Sequence, residues 1–294
     1  VLIDGVFAGG GVKGFAFIGA LEELERRNYH FSRLAGTSAG ALMAALVQAG
    51  YTSGELKELM DDLDLQTFLD PTPMTKHFPL LLKWLGVYWG LGLYKGAQLE
   101  EWVGEKLAAK GIRTFSDLKP QSLRIVASDL TRGQLLVLPD DLHGYGIIPE
   151  TFPIARAVRM SCSLPFFFQP VRLFDKNGEG ALIVDGGILS NFPMWLFQKE
   201  ERRKRPVLGF QLNPEPDETR NKIDNALDLY SSVFGTMQNG RDSRYVEKHK
   251  QDNVVFIPVD RIKTTSFSIT NEDRLRLIRL GRRATESYLR RWSG

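Results

Sequence analysis

The sequence predicts an α/β fold, a three-layer α/β/α arrangement around a mostly parallel central sheet. Three observations predict it. Short apolar runs recur along the chain, helix-patterned stretches separate them, and glycine-rich turns stand where a run hands over to a helix. Strands that alternate with helices belong in a parallel sheet covered on both faces.

The first run, Leu2 to Ala8, reads as a short buried strand, followed by the loop Gly9-Gly10-Gly11-Val12-Lys13-Gly14. A helix is expected from about Phe15, with Phe17, Leu21 and Leu24 at helical spacing and Glu22, Glu23, Glu25, Arg26 and Arg27 on the wet side. Phe31 to Ala35 forms the second strand. It runs into Gly36-Thr37-Ser38-Ala39-Gly40 and then the helix formers Ala41 to Val47, with Gly50 as the stop. Further strands are expected at Leu123–Ala127, Gln134–Leu138, Ala181–Val184, Val207–Leu212 and Val254–Val259, and a helix at Ile154–Met160. The last helix takes Asn271 as its N-cap and lines up Leu277, Leu280, Ala284, Tyr288 and Trp292. No repeat, low-complexity block or linker interrupts the 294 residues, so one domain is expected over 1–294.

Composition narrows the function. A hydrophobic content of 43% and a charged content of 25% are those of a globular protein, and a net charge of +3 is too small to argue for nucleic acid. Basic clusters at Arg202–Arg205, Arg282-Arg283 and Arg290-Arg291 read first as solvated faces and second as contacts for anionic headgroups. The lone Cys162 excludes an internal disulfide and a multi-cysteine zinc site. No signal peptide is visible, and a cytoplasmic location, peripheral at membranes, is expected, with secretion or injection into a host cell as the alternative. Phe78 to Tyr94 is the most apolar stretch, but Lys83, Gly86, Gly90 and Gly92 argue against a bilayer span. It fits either a core helix or an interfacial cap, part of a lid-like insertion at about 70–96, where Trp84, Tyr88, Trp89 and Tyr94 suit a membrane boundary.

Three turns carry the chemistry. Gly36-Thr37-Ser38-Ala39-Gly40 is a G-x-S-x-G elbow, in which glycines permit a reversal tight enough to expose a serine oxygen at a helix N-terminus. Gly9, Gly11 and Gly14 also fit the dinucleotide pattern G-x-G-x-x-G, but the next strand ends in Leu34-Ala35-Gly36 with no acidic residue, and no P-loop lysine follows. An oxyanion hole fits better, with Gly10 and Gly11 as the best amide donors beside Gly9. Lys13 either adds positive charge there or points to solvent. The third turn is Asp185-Gly186-Gly187 at the end of a strand, which is either an ordinary Asp-Gly turn or a carboxylate aimed into the crevice. None of His30, His77, His143 and His249 has the setting of a catalytic base.

Together these blocks resemble the patatin-like phospholipase family. Gly9 to Gly14 matches its G-G-G-x-[KR]-G block, Gly36 to Gly40 its nucleophile block, Asp185 to Gly187 its D-G-[GA] block, and Ser161-Cys162-Ser163-Leu164-Pro165 its S-x-S-x-P segment. Ala8 departs from the Asp that plant members often carry there. The resemblance implies a Ser38–Asp185 dyad without a histidine, metal or cofactor, acting on phospholipid or lysophospholipid acyl esters in peripheral contact with a membrane. The same dyad would serve an acyltransferase, and a vestigial pocket would leave an inactive lipid-binding protein.

Overall fold

The computed structural model describes residues 1–61, 63–70, 91–198, 205–214, 223, 229, 232–237, 253–259 and 269–292. Ten strands are named among them: β1 (Leu2–Phe7), β2 (His30–Thr37), β3 (Gly92–Tyr94), β4 (Leu123–Asp129), β5 (Gln134–Leu138), β6 (Phe166–Phe168), β7 (Val171–Phe174), β8 (Gly180–Asp185), β9 (Val207–Pro214) and β10 (Val254–Val259). The α-helices named among them are α1 (Phe15–Arg26), α2 (Ala39–Gln48), α3 (Ser53–Asp61), α4 (Ala97–Ala109), α5 (Ile154–Ser161), α6 (Trp195–Gln198) and α7 (Asn271–Leu289).

The main sheet runs in the order β10-β9-β1-β2-β4-β8-β7, with β5 paired to β4. Strands β10, β9, β1, β2 and β4 are mutually parallel, while β5, β8 and β7 join antiparallel. The sheet is thus mostly parallel at its centre, as predicted, with an antiparallel margin that the apolar runs alone did not specify.

Alternation along the strands sorts side chains onto two faces. Ile3 and Phe7 of β1, Leu34 of β2, Leu208 and Phe210 of β9, and Val255 and Ile257 of β10 join the larger cluster with α1, α2 and α7. The rings of Phe7, Phe17 and Phe210 stack within it, Phe7 lying 5.1 Å from each of the other two. On the opposite face, Val6, Ala8, Ala35, Val207 and Val254 pack under Phe192, Met194 and Phe197. Asp4 points to that second side, 1% exposed, and accepts from Arg33 at 2.6 Å and Arg205 at 3.2 Å.

Most predicted boundaries move by one or two residues. Asn271 is a correction: the cap of α7 is Thr270, whose hydroxyl accepts the Asp273 amide at 3.1 Å while Asp273 reaches back to the Thr270 amide at 3.3 Å. The hydroxyl at the N-cap and the acid three residues on outcompete the amide of Asn271, which falls inside the first turn. Of the apolar Phe78–Tyr94 segment, 78–90 lie outside the described residues. Its end forms β3, which pairs in parallel with β6 as a separate two-stranded sheet.

Candidate active site

β1 and β2 are adjacent and parallel, so the loops that leave their carboxyl ends lie side by side. From β1 comes the glycine loop. Gly10 adopts an extended φ of 176°, Gly11 turns into the left-handed region at φ 55°, and Gly11–Gly14 closes a 3-10 turn that feeds α1. From β2 comes the elbow. Ser38 sits at φ 54°, ψ −126°, a strained conformation for an L residue, and its carbonyl accepts the Ala41 and Leu42 amides to open α2. The elbow glycines serve close approach rather than unusual dihedrals. A Cβ on Gly36 would stand 2.3 Å from the Gly40 carbonyl oxygen, and one on Gly40 would stand 2.3 Å from that of Phe7.

Asp185 arrives from the other direction. β8 runs antiparallel to β4, so Asp185 descends past the carboxyl end of β4 and pairs with Ala127, one step from Val126, the partner of Thr37. The expected crevice at the carboxyl ends of parallel strands is therefore entered by a strand of opposite sense. Gly186 makes this possible, since a Cβ there would meet the Val126 oxygen at 2.3 Å and the Thr37 methyl at 2.9 Å. The Ser38 side chain neighbours the Asp185 carboxylate and draws its pKa down, and the carboxylate accepts the Gly187 amide at 2.7 Å.

Asp185 is 2% exposed. Burial pushes its carboxyl up to about 6, against the opposing pull of the Ser38 side chain and the Gly187 amide. No cation pairs with it among the described residues. Desolvation thus gives the carboxylate a basicity that an exposed aspartate lacks. Lys13 lies in the glycine turn, and burial lowers its ammonium pKa below the ordinary lysine value. Burial raises the Cys162 thiol, as does the negative charge of Asp185, and so keeps that sulfur neutral.

Several supporting residues have tasks that only the structure reveals. The Gly9 amide donates to the Asn191 carbonyl at 3.1 Å, and a Cβ on Gly9 would collide with the Asn191 side-chain oxygen at 2.3 Å. Asn191 lies six residues beyond Asp185, in an Asn-Phe-Pro stretch whose apolar ring is the visible feature. Ser161 and Ser163 belong to the S-x-S-x-P segment, yet only their contacts reveal what they hold. The Ser161 oxygen accepts the Ser38 amide at 2.8 Å, and the Ser163 carbonyl accepts the Asp185 amide at 2.9 Å. His30 and His143 are exposed and His77 and His249 lie outside the described residues. Among the described residues no group of three or more metal-ligating side chains assembles.

The sequence profile described as patatin-like phospholipase matches residues 5–197, a span that holds the glycine loop, the elbow and Asp185. The chain belongs to the patatin-like phospholipase family. Membership makes it a lipid hydrolase at the level of the family. A Bacillus subtilis relative, YqhO, is 50% identical and covers 99% of each chain. The cUMP-AMP-activated phospholipase of Escherichia coli is 26% identical over 71% of this chain and 64% of its own. Among solved structures, VipD from Legionella pneumophila superposes with a TM-score of 0.61 at 20% identity, covering 99% of this chain and 67% of its own. ExoU of Pseudomonas aeruginosa, in its complex with SpcU, gives 0.54 at 20% identity over 100% and 52%. Both share this patatin-like fold. No helix among the described residues is long and apolar enough to cross a membrane.

Proposed function

We propose that this patatin-like protein is a lipid acyl hydrolase in which Ser38 is the nucleophile and Asp185 its base. The observation that carries this is the Ser38 side chain standing beside a buried carboxylate, one that desolvation makes more basic. As Ser38 Oγ attacks an acyl carbonyl, its proton passes to Asp185 and the carbonyl oxygen takes the negative charge. Collapse breaks the bond to the alcohol, which leaves with the proton from Asp185, and an acyl-serine remains. Water then gives a proton to Asp185 and attacks the acyl carbon. The bond to Ser38 breaks, Ser38 Oγ regains the proton and the fatty acid is released.

The proposed oxyanion donors are the amides of Gly10 and Gly11, which open the 3-10 turn and have no acceptor within it. Gly9 spends its amide on Asn191, so its part is to let the loop lie against Ser38. Lys13 adds a nearby positive charge. One such donor is worth about 2.7–4 kcal/mol of transition-state stabilisation. Phospholipids or lysophospholipids are the proposed substrates, reached in peripheral contact with a membrane by a single catalytic domain over 1–294. The reading is supported by the family and by the E. coli relative, whose name is that of a phospholipase.

The test is hydrolysis across a panel of phospholipids and lysophospholipids, with fluorophosphonate labelling of Ser38 in parallel. Ser38→Ala and Asp185→Asn should each abolish turnover in folded protein, and Ser38→Ala should also abolish labelling. Turnover near the wild-type rate in either variant refutes the assignment.

A further inference from the structure

One short stretch of chain, at the end of α5, holds both halves of the dyad by their main-chain amides. Ser161 Oγ accepts the Ser38 N–H at 2.8 Å, and the carbonyl of Ser163, two residues on, accepts the Asp185 N–H at 2.9 Å. The Ser161 hydroxyl is itself aimed, because its own proton goes to the Val126 carbonyl at 2.6 Å, which leaves a lone pair for Ser38. Val126 is the residue that faces Thr37 across the β2–β4 pairing, so this bond ties Ser161 to the strand beside the elbow.

Ser38 needs that partner. It precedes the first turn of α2, where an amide has no acceptor within the helix, and it holds a dihedral pair that persists only where its surroundings fix it. Ser161 and Ser163 are both fully buried, so neither hydroxyl can exchange its partner for water. Ser163 is gripped in turn by Arg159. The guanidinium donates to Ser163 Oγ and to the carbonyls of Lys95 and Gln169, the last at 2.8 Å, and the Ser163 hydroxyl donates to the Arg159 carbonyl at 2.7 Å.

We infer that Ser161 is a positioning residue of this site: its hydroxyl sets the Ser38 amide, and so aims Ser38 Oγ at Asp185, from the same segment that anchors Asp185 through Ser163. The inference rests on the Ser38–Asp185 reading above. Its consequence is that the nucleophile–base separation follows the spacing of Ser161 and Ser163, and loosening one end should loosen the contact between the two side chains.

That contact has a titration signature. Asp185 faces the Ser38 hydroxyl from the elbow, the Gly187 amide from its own turn and the neutral Cys162 thiol from the end of α5. The Ser38 side chain works against burial and holds the carboxyl lower than burial alone would leave it. When that contact weakens, burial pushes the carboxyl higher, and the acid limb of activity moves to higher pH.

The experiment compares Ser161→Ala and Ser161→Cys with wild type on the soluble ester p-nitrophenyl butyrate, as kcat and KM across the pH range, with thermal melts and Ser38→Ala as reference. Ser161→Ala should lower kcat by about 10- to 100-fold with little change in KM, and its acid limb should shift upward. Cysteine fills the same space but accepts hydrogen bonds weakly, so Ser161→Cys should fall between the two. A folded Ser161→Ala with wild-type kcat overturns the inference. So does an unmoved acid limb in a variant that has only lost stability, or a Ser161→Cys enzyme equal to wild type, since packing would then explain the residue. Activity surviving in Ser38→Ala would instead overturn the dyad itself and, with it, the role given to Ser161.

Discussion

Ser38 and Asp185 meet across β4: Ser38 follows the residue paired with Val126, Asp185 is paired with Ala127, and the side chain of the first draws down the pKa of the second. A parallel strand and an antiparallel one bring their last residues to the same level of the sheet from opposite directions. The carboxylate is buried, 2% exposed, and its chemistry follows from that burial.

Activity should depend on pH through Asp185. The base must be ionised to take the Ser38 proton, and its carboxyl is pushed up to about 6. We expect kcat/KM on a soluble ester to rise through about pH 6 and to level off above it, as the titration of a single group in the free enzyme. An exposed aspartate would place the limb near pH 4. A profile already flat at about pH 5 would show that the carboxylate is not desolvated in the working enzyme.

Stability should show the reverse dependence. Because the folded state holds the Asp185 proton more tightly than the unfolded chain does, stability is lost as pH rises from about 4 to about 6. The ionised form in the native site then costs on the order of 3 kcal/mol at neutral pH. Asp185→Asn removes that charge, keeps an acceptor for the Gly187 amide, and can donate to Ser38 Oγ. It should therefore melt several degrees above wild type at about pH 7.5 and converge with it near pH 4, while losing turnover. Melting curves at the two pH values decide the matter; equal curves at neutral pH would contradict a buried, uncompensated charge.

The glycine loop should respond unequally to added methyl groups. A Cβ on Gly9 would meet the Asn191 side-chain oxygen at 2.3 Å, with Ser38 Cβ only 3.3 Å away. On Gly10 the obstruction is the Leu212 methyl at 2.3 Å, the free end of a flexible side chain, and the extended φ of 176° suits any residue. Gly9→Ala should cost about 100-fold or more in kcat, a displacement of the loop equivalent to losing one donor, whereas Gly10→Ala should retain most of it. Steady-state kinetics on both variants, with melts to confirm folding, make the comparison.

How much of this was legible in the sequence depends on whether a residue's task is local. Gly36, Ser38, Gly40 and Asp185-Gly186-Gly187 are tight turns, and a turn that excludes Cβ atoms leaves glycines in the sequence. The strands of the parallel core are legible for a similar reason, since burial on both faces writes uninterrupted apolar runs such as Val254–Val259. Arg159, Ser161 and Asn191 are another matter. Each acts on a partner far away in sequence: Ser161 on Ser38, Asn191 on Gly9, Arg159 on Lys95. A serine in the last turn of a helix has no local feature that separates a structural anchor from an ordinary polar residue. The antiparallel sense of β8 was equally hidden, because direction is set by the connections around a strand and not by its composition.

The crossing of α1 and α7 makes the last prediction. Gly19 and Gly281 each face the backbone of the other helix: a Cβ on Gly19 would fall 1.8 Å from the Ile278 carbonyl oxygen, and one on Gly281 would fall 1.8 Å from that of Ala16. Both obstructions are backbone, so the helices must move apart or twist to admit a methyl. Glycine to alanine inside a helix would ordinarily gain about 1 kcal/mol of propensity. Here overpacking, typically about 1–3 kcal/mol and more when backbone must shift, should win, and each single alanine variant should unfold at lower urea concentration than wild type. Once one alanine has separated the helices, the second meets less resistance, so the double variant should be less destabilised than the two singles combined. Because α1 leaves directly from the Gly11–Gly14 turn, the displacement should also lower kcat in the protein that remains folded. Urea titrations of both singles and the double, with kinetics at a concentration where all are native, would show a net stabilisation instead if the helices were free to part without cost.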